Sequence, residues 1–420
     1  MKLKRIFFDD LTKDSLIMFL GSGFTNLCNL LYTIFLVRSL TPSDFGIFNS
    51  LLAILMLLSQ LPSTFSIALT RFISQFYAQE DFGKIKRTLF LLGKRVLLIG
   101  FFIFLLLISF HKPLSVFLKI PNGVNFLLLS LIILFSYLSA LPQATLSGLQ
   151  KFWYISFSSI ISGLIKLILV FVFIKLMLGV GGALGAFLLS SFLGLVLSFY
   201  FQEKSLSRTS RFSLVNDELN LWEMYNYLIP VFMVTLLGTA FLNIDIILVK
   251  RFFEPLQAGL YSISQVVGKI VFFFPSFIIM VMFPKVANLQ AKNKDTRFIL
   301  KKSLFYTFSF SSLVALIAII SPPLMLKILA GKVYNECFPL VRIFSLNMVL
   351  LSLLFVFMNY HLSLDERKYL YIFLGVIVGE IILISLFHKN LIQVLISIFI
   401  CLFLLLVLNF YWVFHKPVKR

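Results

Sequence analysis

The sequence predicts an all-α membrane protein of about twelve transmembrane helices, arranged as two six-helix bundles. Three observations predict this fold class. Hydrophobic residues make up 60% of the 420 residues and charged residues only 13%, which is more apolar surface than a soluble domain could bury. Apolar runs of about 20 residues, the length that crosses a bilayer, recur along the whole chain. The third observation is an internal repeat.

The repeat joins two segments that lie almost half a chain apart. The segment R-S-L-T-P-S-D-F-G-I-F from Arg38 recurs 213 residues later as R-F-F-E-P-L-Q-A-G-L-Y from Arg251. The same offset carries Pro62-Ser63 onto Pro275-Ser276. Four positions of the longer segment align without a gap, namely Arg38/Arg251, Pro42/Pro255, Gly46/Gly259 and Phe48/Tyr261. We interpret the chain as a duplication, which is common among membrane transporters.

Length and hydropathy place the twelve predicted spans and leave only short connections between them. The first run is too long for the apolar core of a signal peptide and lacks a small-residue cleavage site, so we expect no cleavage there. No loop is long enough for a sizeable catalytic domain outside the membrane. The spans are predicted at residues 15–37, 46–69, 88–110, 124–149, 152–175, 179–201, 224–249, 257–283, 303–326, 337–360, 369–388 and 391–414.

The distribution of basic residues predicts the orientation. If the N-terminus is cytoplasmic, 25 of the 37 lysines and arginines fall on that side and only 10 on the other. The positive-inside rule therefore predicts that both termini are cytoplasmic. The same rule explains most of the net charge of +20, so we predict no nucleic-acid partner.

Each half has an even number of spans, so both copies enter and leave the membrane on the same side and form parallel repeats. We expect the substrate path between the two halves, near the midplane of the membrane. We predict an N-terminal six-helix lobe at residues 1–202, a polar cytoplasmic linker at 203–223 and a C-terminal six-helix lobe at 224–420.

Several predicted spans carry polar residues at helical spacing. A polar stripe on a helix in lipid has to face protein or water, so these residues are candidates for the substrate path. The alternative is that the small polar residues mediate helix packing. The candidates are Asn26 and Asn29 in span 1, Gln143 in span 4 and Gln265 in span 8, with serine and threonine stripes in spans 1, 2, 4 and 5.

Four ionisable residues lie inside apolar runs: Lys166, Asp245, Lys269 and Glu380. Each costs several kcal/mol at the bilayer centre unless it is paired or hydrated, so each is a functional hypothesis. The two lysines could make a cavity cationic and suited to a phosphate or pyrophosphate, although they are not repeat equivalents.

The two acidic residues leave alternatives open. Asp245 either pairs with a basic residue near the outer end of its span, or binds a proton or cation, or pairs with Lys269. Glu380 forms either a cross-helix salt bridge or a protonatable coupling group. Arg38 closes the first span, where snorkelling and topology compete with a role in the substrate path. The three cysteines have no pairing or metal-like spacing, and we predict no metal, cofactor or catalytic residue.

Arg38, Leu40, Pro42, Phe45, Gly46 and Phe48 resemble the signature that follows the first helix in polysaccharide-transport flippases, the Wzx-type transporters of lipid-linked oligosaccharides. Asp245, Ile246, Gly259 and Tyr261 resemble the conserved stretch of that family after helix seven, and the segment G-L-Q-K-F-W-Y from Gly148 adds to the likeness. The similarity extends over the whole chain in length and helix count.

The resemblance implies a fold shared with multidrug and toxin extrusion (MATE) transporters and with lipid II flippases, working by alternating access. The implied cargo is a polyprenyl-pyrophosphate-linked oligosaccharide repeat unit, moved across the bacterial cytoplasmic (inner) membrane for surface polysaccharide such as the O-antigen of lipopolysaccharide. The implied partners are this substrate, membrane lipids, a polysaccharide polymerase and a chain-length regulator.

Two other functions compete with a flippase. A cation-coupled drug antiporter of the same fold would be expected to have an acidic cavity, and the intramembrane lysines disfavour it. A membrane polymerase or ligase of the same pathway would need a catalytic cluster in a substantial loop, which the sequence lacks.

Overall fold

A computed structural model describes residues 10–415, except residues 122, 208–220, 293 and 365. The described residues form sixteen α-helices and no strand. In chain order they are α1 (Asp10–Ser39), α2 (Pro42–Leu58), α3 (Gln60–Ala78), α4 (Phe82–Ser109), α5 (His111–Leu118), α6 (Val124–Gly148), α7 (Phe152–Lys175), α8 (Gly179–Ser207), α9 (Leu221–Phe252), α10 (Pro255–Phe273), α11 (Ser276–Ala291), α12 (Arg297–Ile320), α13 (Pro322–Ala330), α14 (Cys337–Ser363), α15 (Tyr369–Leu386) and α16 (Leu391–His415).

Twelve of the described segments are long and apolar enough to cross a membrane, which confirms the all-α fold with about twelve spans. Most bounds agree with the predicted spans to within a few residues. The second span runs on furthest, to Ala78 instead of the predicted 69, and the ninth span, predicted at 303–326, is shifted to Arg297–Ile320. The prediction for the ninth span ran on into α13, because hydropathy alone does not register the helix break before Pro322.

The second and eighth spans are each built from two helices, at repeat-equivalent breaks. In the second span α2 ends at Leu58 and α3 begins at Gln60, just before Pro62. In the eighth span the break lies at Phe274 and Pro275. A proline removes one backbone hydrogen bond and clashes with the carbonyl four residues earlier, which accounts for both breaks. The hydroxyl of Tyr137 contacts the freed carbonyl of Leu58 at 3.4 Å.

A short helix follows the third span and another follows the ninth. These helices, α5 and α13, occupy matching positions in the two repeats, and each ends at a left-handed residue. That residue is Lys119 (φ 53°) after α5 and Gly331 (φ 69°) after α13. Both helices are too short to span a membrane, so a search for apolar runs does not find them.

The chain divides into two compact units. Unit 1 comprises residues 1–39 and 58–232, and unit 2 comprises residues 40–57 and 233–420. In unit 1, α7 packs closely on α1 because Gly163 faces Cys28 and Gly21 faces Ser156. A Cβ atom at Gly21 would lie 2.5 Å from the Cβ of Ser156. Small residues allow such close approach between helices in a membrane.

Unit 2 includes α2, which belongs to the first half of the sequence. Ala53 of α2 lies in the same hydrophobic core as residues of α9 to α12 and α14 to α16. Gly46 of α2 packs directly on Gly259 of α10: a Cβ atom at Gly46 would lie 2.9 Å from the backbone nitrogen of Gly259. The two repeat-equivalent glycines therefore pack on each other.

The predicted lobe boundary at residues 203–223 stays a prediction, and residues 208–220 of that linker lie outside the described residues. The compact units differ from the predicted lobes mainly in the position of α2. An apolar run shows where a helix crosses the membrane, but not which bundle it joins, because that choice depends on contacts more than 200 residues apart, such as Gly46 with Gly259.

Candidate functional site

Among the described residues of unit 1, the buried cation is the ammonium group of Lys166 on α7. The side chain is only 9% exposed, and its Nζ donates a hydrogen bond to Oδ1 of Asn29 on α1. The same Nζ lies 4.9 Å from the ring centre of Tyr32 and 4.8 Å from that of Phe187. Tyr32 is held in turn by a 2.9 Å hydrogen bond from its hydroxyl to the carbonyl of Ala183 on α8.

The partners of Lys166 are neutral. Within the described residues its ammonium group contacts an amide oxygen and two aromatic faces, and no carboxylate forms an ion pair with it. Aromatic faces and an amide oxygen stabilise a cation without cancelling its charge. The site can therefore attract an anion, which is the chemistry predicted for this lysine.

Unit 2 holds a buried carboxylate, Asp245 on α9, which is 3% exposed. Four hydrogen bonds end on it. The hydroxyl of Tyr261 donates at 2.8 Å, Nε2 of Gln265 donates to both oxygens at 2.9 and 3.0 Å, and the backbone N–H of Ile246 donates at 2.8 Å. The lysine charge that acts on Asp245 is that of Lys269. The pairing of Asp245 with Lys269 stays a prediction, because Nζ of Lys269 is hydrogen-bonded to Asn243.

The polar network of Asp245 reaches α2 and a second asparagine. Nδ2 of Asn49 on α2 donates to Oε1 of Gln265 at 2.9 Å, so Gln265 links α2 to the carboxylate. Nζ of Lys269 donates to Oδ1 of Asn243 at 3.0 Å. Because Gln265 is fully buried and uses both ends of its amide, it has the environment of a structural connector rather than of a residue that faces substrate.

Unit 2 holds a second buried carboxylate, Glu380 on α15. It is 0% exposed, and neither carboxyl oxygen has a hydrogen-bond partner within the described part of the chain. It interacts electrostatically with Asp245, Tyr261 and Cys401. The salt bridge considered for Glu380 is absent there. An ionised carboxylate buried in this way costs several kcal/mol, so the group requires a proton or a cation.

The repeat relates the two buried sites. The 213-residue offset carries Tyr32 of α1 onto Asp245 of α9, and Lys166 of α7 to within one residue of Glu380 of α15. Each half of the sequence therefore has an ionisable side chain on its fifth span, Lys166 or Glu380, and a polar residue, Tyr32 or Asp245, at equivalent positions of its first span. The charge is positive in unit 1 and negative in unit 2.

The remaining predicted path residues do not join these clusters. Asn26, Gln143 and Arg38 are exposed in unit 1, and the structure brings none of them to Lys166. Hydroxyl groups of the stripes mostly bond to carbonyls of their own helix, as Ser22 does to Met18 and Thr33 to Asn29. Such hydroxyls are satisfied locally, which favours the packing interpretation for the stripes.

Sequence reasoning missed Asn49, Asn243 and the role of Tyr32. Tyr32 could have been found from the repeat, because the offset aligns it with Asp245. Asn49 and Asn243 each lie in predicted apolar spans, where an asparagine is costly. Their partners Gln265 and Lys269 lie on another helix, 216 and 26 residues away in sequence. The described residues contain no group of three or more His, Cys, Asp or Glu side chains that could hold a metal ion.

Comparison with known proteins identifies relatives across most of the chain. A family described as polysaccharide biosynthesis protein matches residues 11–290, two thirds of the sequence. An uncharacterised membrane protein of Methanocaldococcus jannaschii is 24% identical over 355 residues, which cover 81% of this chain and 82% of that protein.

Several solved structures share the fold. An inward-facing multidrug resistance MATE family transporter of the MOP superfamily superposes with a TM-score of 0.74 at 14% identity, covering 92% of this chain and 93% of that chain. The lipid II flippase MurJ, in an inward closed conformation, gives a TM-score of 0.73 at 14% identity, covering 96% of this chain and 88% of that chain. The predicted MATE-like fold is confirmed.

Proposed function

The chain belongs to the polysaccharide biosynthesis protein family, and on that premise we propose that it is a flippase for a polyprenyl-pyrophosphate-linked oligosaccharide. It would move this repeat unit across the bacterial cytoplasmic membrane by alternating access between its two predicted six-helix lobes. The MATE family transporter and the MurJ flippase are both transport proteins rather than enzymes, which supports transport over catalysis. The proposed orientation has both termini in the cytoplasm, as the distribution of basic residues predicts.

The observation that carries this proposal is the buried, unneutralised cation of unit 1. The ammonium group of Lys166 lies beside Asn29 and two aromatic rings, and none of these partners carries a negative charge. A pyrophosphate offers the anionic oxygens that such an ammonium group binds. Exposed amides on α1, Asn26 and Asn29, are hydrogen-bonding groups suited to a sugar. The polyprenyl chain would remain in lipid.

Deletion of the gene in its host tests the proposal directly. We expect loss of surface polysaccharide, with the single repeat unit retained on its lipid carrier at the cytoplasmic face of the membrane. Intact polysaccharide in the deletion strain would contradict the flippase proposal.

Substitution of Lys166 tests the chemistry. Lys166→Gln should lower complementation of the deletion strain at least about tenfold, because loss of one charge-assisted hydrogen bond to the substrate removes about 1.5–3 kcal/mol. Lys166→Arg should retain part of the activity. The matched control is Lys175→Gln on the same helix, where the lysine stacks on Phe171 at the helix end. Normal transport by Lys166→Gln, at normal abundance in the membrane, would show that Lys166 is not part of the substrate site.

We further propose that Asp245 and Glu380 form the site that couples transport to a proton or cation. Glu380 is buried beside Asp245 without a hydrogen bond, so its charge has to be matched by a bound proton or cation. Transport into inverted vesicles, driven by imposed proton or sodium gradients, should lose its gradient dependence in Glu380→Gln. The control Glu336→Gln removes an exposed carboxylate just before α14. An unchanged gradient response in Glu380→Gln would contradict the coupling role.

The same acidic pair favours a second candidate, a cation-coupled drug antiporter. Lysines in the membrane disfavour that function, but the pair of Asp245 and Glu380 provides acidic groups in unit 2. Under this alternative, the deletion strain would make normal polysaccharide and become sensitive to cationic drugs.

The partners proposed for the flippase are a polysaccharide polymerase and a chain-length regulator. Co-purification with either would support the flippase over the antiporter.

A further inference from the structure

Unit 2 contains a cavity of about 710 Å³ at the start of α12 and the end of α16. Its lining has a charged part and an apolar part. The charged part comprises Asp295, Arg297 and Lys301. The apolar part comprises Phe298, Leu304, Phe410 and Phe414. None of these residues belongs to the clusters around Lys166 or Asp245.

The cavity combines positive charge with aromatic walls. Lys301 places its Nζ 5.3 Å from the ring centre of Phe414, and Phe414 stacks on Phe410 at 5.8 Å. Asp295, the one carboxylate of the lining, accepts a 2.9 Å hydrogen bond from the backbone N–H of Arg297 and is thereby held at the start of α12. Together with Arg297 and Lys301 it leaves the lining with one net positive charge. The positive end of the α12 dipole adds to the two cationic side chains.

The cavity lies at the edge of the membrane. Arg297 is the first residue of a membrane-spanning helix, and Phe414 is one residue from the end of another. By the positive-inside rule this edge is the cytoplasmic one. Phe298 is 71% exposed, and Phe305, two turns further along α12, is 66% exposed, so an apolar surface continues from the cavity toward the membrane interior.

We propose that this cavity binds the headgroup of an anionic phospholipid of the inner leaflet, with one acyl chain against Phe298 and the apolar face of α12. The phosphate would lie between Arg297 and Lys301. This lipid is a resident of the membrane rather than cargo, so the proposal is independent of the flippase function. Residues 416–420 (K-P-V-K-R) are an unsuitable occupant, because their three basic side chains would bring more positive charge to a cationic site.

Binding of phosphatidylglycerol to the purified full-length protein tests the proposal. Native mass spectrometry and lipid-dependent thermal stabilisation would compare wild type, the double variant Arg297→Gln/Lys301→Gln and Lys302→Gln. Because each basic residue near a membrane surface contributes about 1 kcal/mol toward an anionic lipid, the double variant should bind about 30-fold more weakly. Lys302, exposed on the next position of α12 and facing Tyr306, is the matched control and should bind like wild type.

Further measurements distinguish a lipid phosphate from free phosphate and cover the case in which the double variant does not fold. Phosphatidylcholine with the same acyl chains should bind at least tenfold more weakly than phosphatidylglycerol, and inorganic phosphate should not compete at millimolar concentration. If the double variant fails to fold, Lys301→Gln alone should weaken binding about fivefold. Unchanged binding by a folded variant, equal weakening by Lys302→Gln, or competition by free phosphate would overturn the assignment to a lipid headgroup.

Discussion

Gly259 occupies the tightest contact of unit 2. A Cβ atom at this position would lie 1.9 Å from the carbonyl oxygen of Pro42, and backbone atoms at that distance cannot move aside cheaply. Gly259→Ala should therefore destabilise the protein by about 3 kcal/mol, the upper end of the usual overpacking penalty. Thermal unfolding in detergent and the folded yield from membranes measure the effect.

Gly375→Ala is the control for this substitution. Gly375 is also a helix residue, but a Cβ atom there meets nothing within 4 Å, so this variant should unfold at or above the wild-type temperature. If Gly259→Ala is as stable as Gly375→Ala, then the contact between α2 and α10 is looser than the structure describes.

At the scale of single residues, the sequence indicated which positions matter but not what they touch. Ionisable residues in apolar runs are conspicuous because they are costly, and all four lie at polar contacts or buried positions in the structure. Their partners could not be predicted, since Lys166 meets Asn29 across 137 residues and Gln265 meets Asn49 across 216. Periodicity carries no information about such long-range contacts.

At the scale of elements, the start of α4 depends on Asp81. Its carboxylate accepts a 2.9 Å hydrogen bond from the backbone N–H of Lys84 and forms a 3.3 Å ion pair with the side chain of the same lysine. The backbone hydrogen bond, aided by the Lys84 charge, lowers the pKa of Asp81 below its usual value of 3.8. The cap therefore stabilises the helix above about pH 4 and is lost as the pH falls through the lowered pKa.

Two variants of Asp81 separate capping from charge. Asp81→Ala should lower the free energy of unfolding by about 1 kcal/mol at neutral pH, as loss of an N-cap usually does. Asp81→Asn should keep most of the cap and remove its titration. Thermal unfolding of both variants and wild type between pH 3 and pH 7 measures this. An acid-induced loss of the same size in Asp81→Asn as in wild type would show that other groups cause it.

The elements also show where sequence reasoning succeeds. The spans were predictable because bilayer thickness fixes the length of an apolar helix, whatever it packs against. The breaks near Pro62 and Pro275 were visible as a repeated Pro-Ser pair, but their effect on the helices was not inferred. The short helices α5 and α13 have only 8 and 9 residues, too few for periodicity to distinguish them from loops.

For the whole molecule, the membership of α2 in unit 2 predicts how the two halves depend on each other. Residues 213–420, expressed alone, lack α2 and leave Gln265 without its bond from Asn49. We expect this fragment to aggregate or be degraded, and to accumulate as a folded complex when residues 1–212 are co-expressed. Co-purification from membranes and complementation of the deletion strain measure reassembly.

Asn49→Ala in the N-terminal fragment provides the control for specific reassembly. Loss of its hydrogen bond to the buried Gln265 should reduce the yield of the complex, because an unpaired buried amide costs about 1–3 kcal/mol. A C-terminal fragment that is stable and monodisperse alone would contradict the dependence on α2.

The placement of α2 also sets an order of events during synthesis. Asn49 leaves the ribosome 216 residues before Gln265, and at about 5–20 residues per second this interval lasts roughly 10 to 40 s. During that time α2 has no unit 2 to join, and its asparagine faces lipid or the insertion machinery. Biogenesis is therefore most vulnerable between the insertion of α2 and the emergence of α10, and a ribosome stall in this interval would expose an orphaned polar helix to membrane proteases.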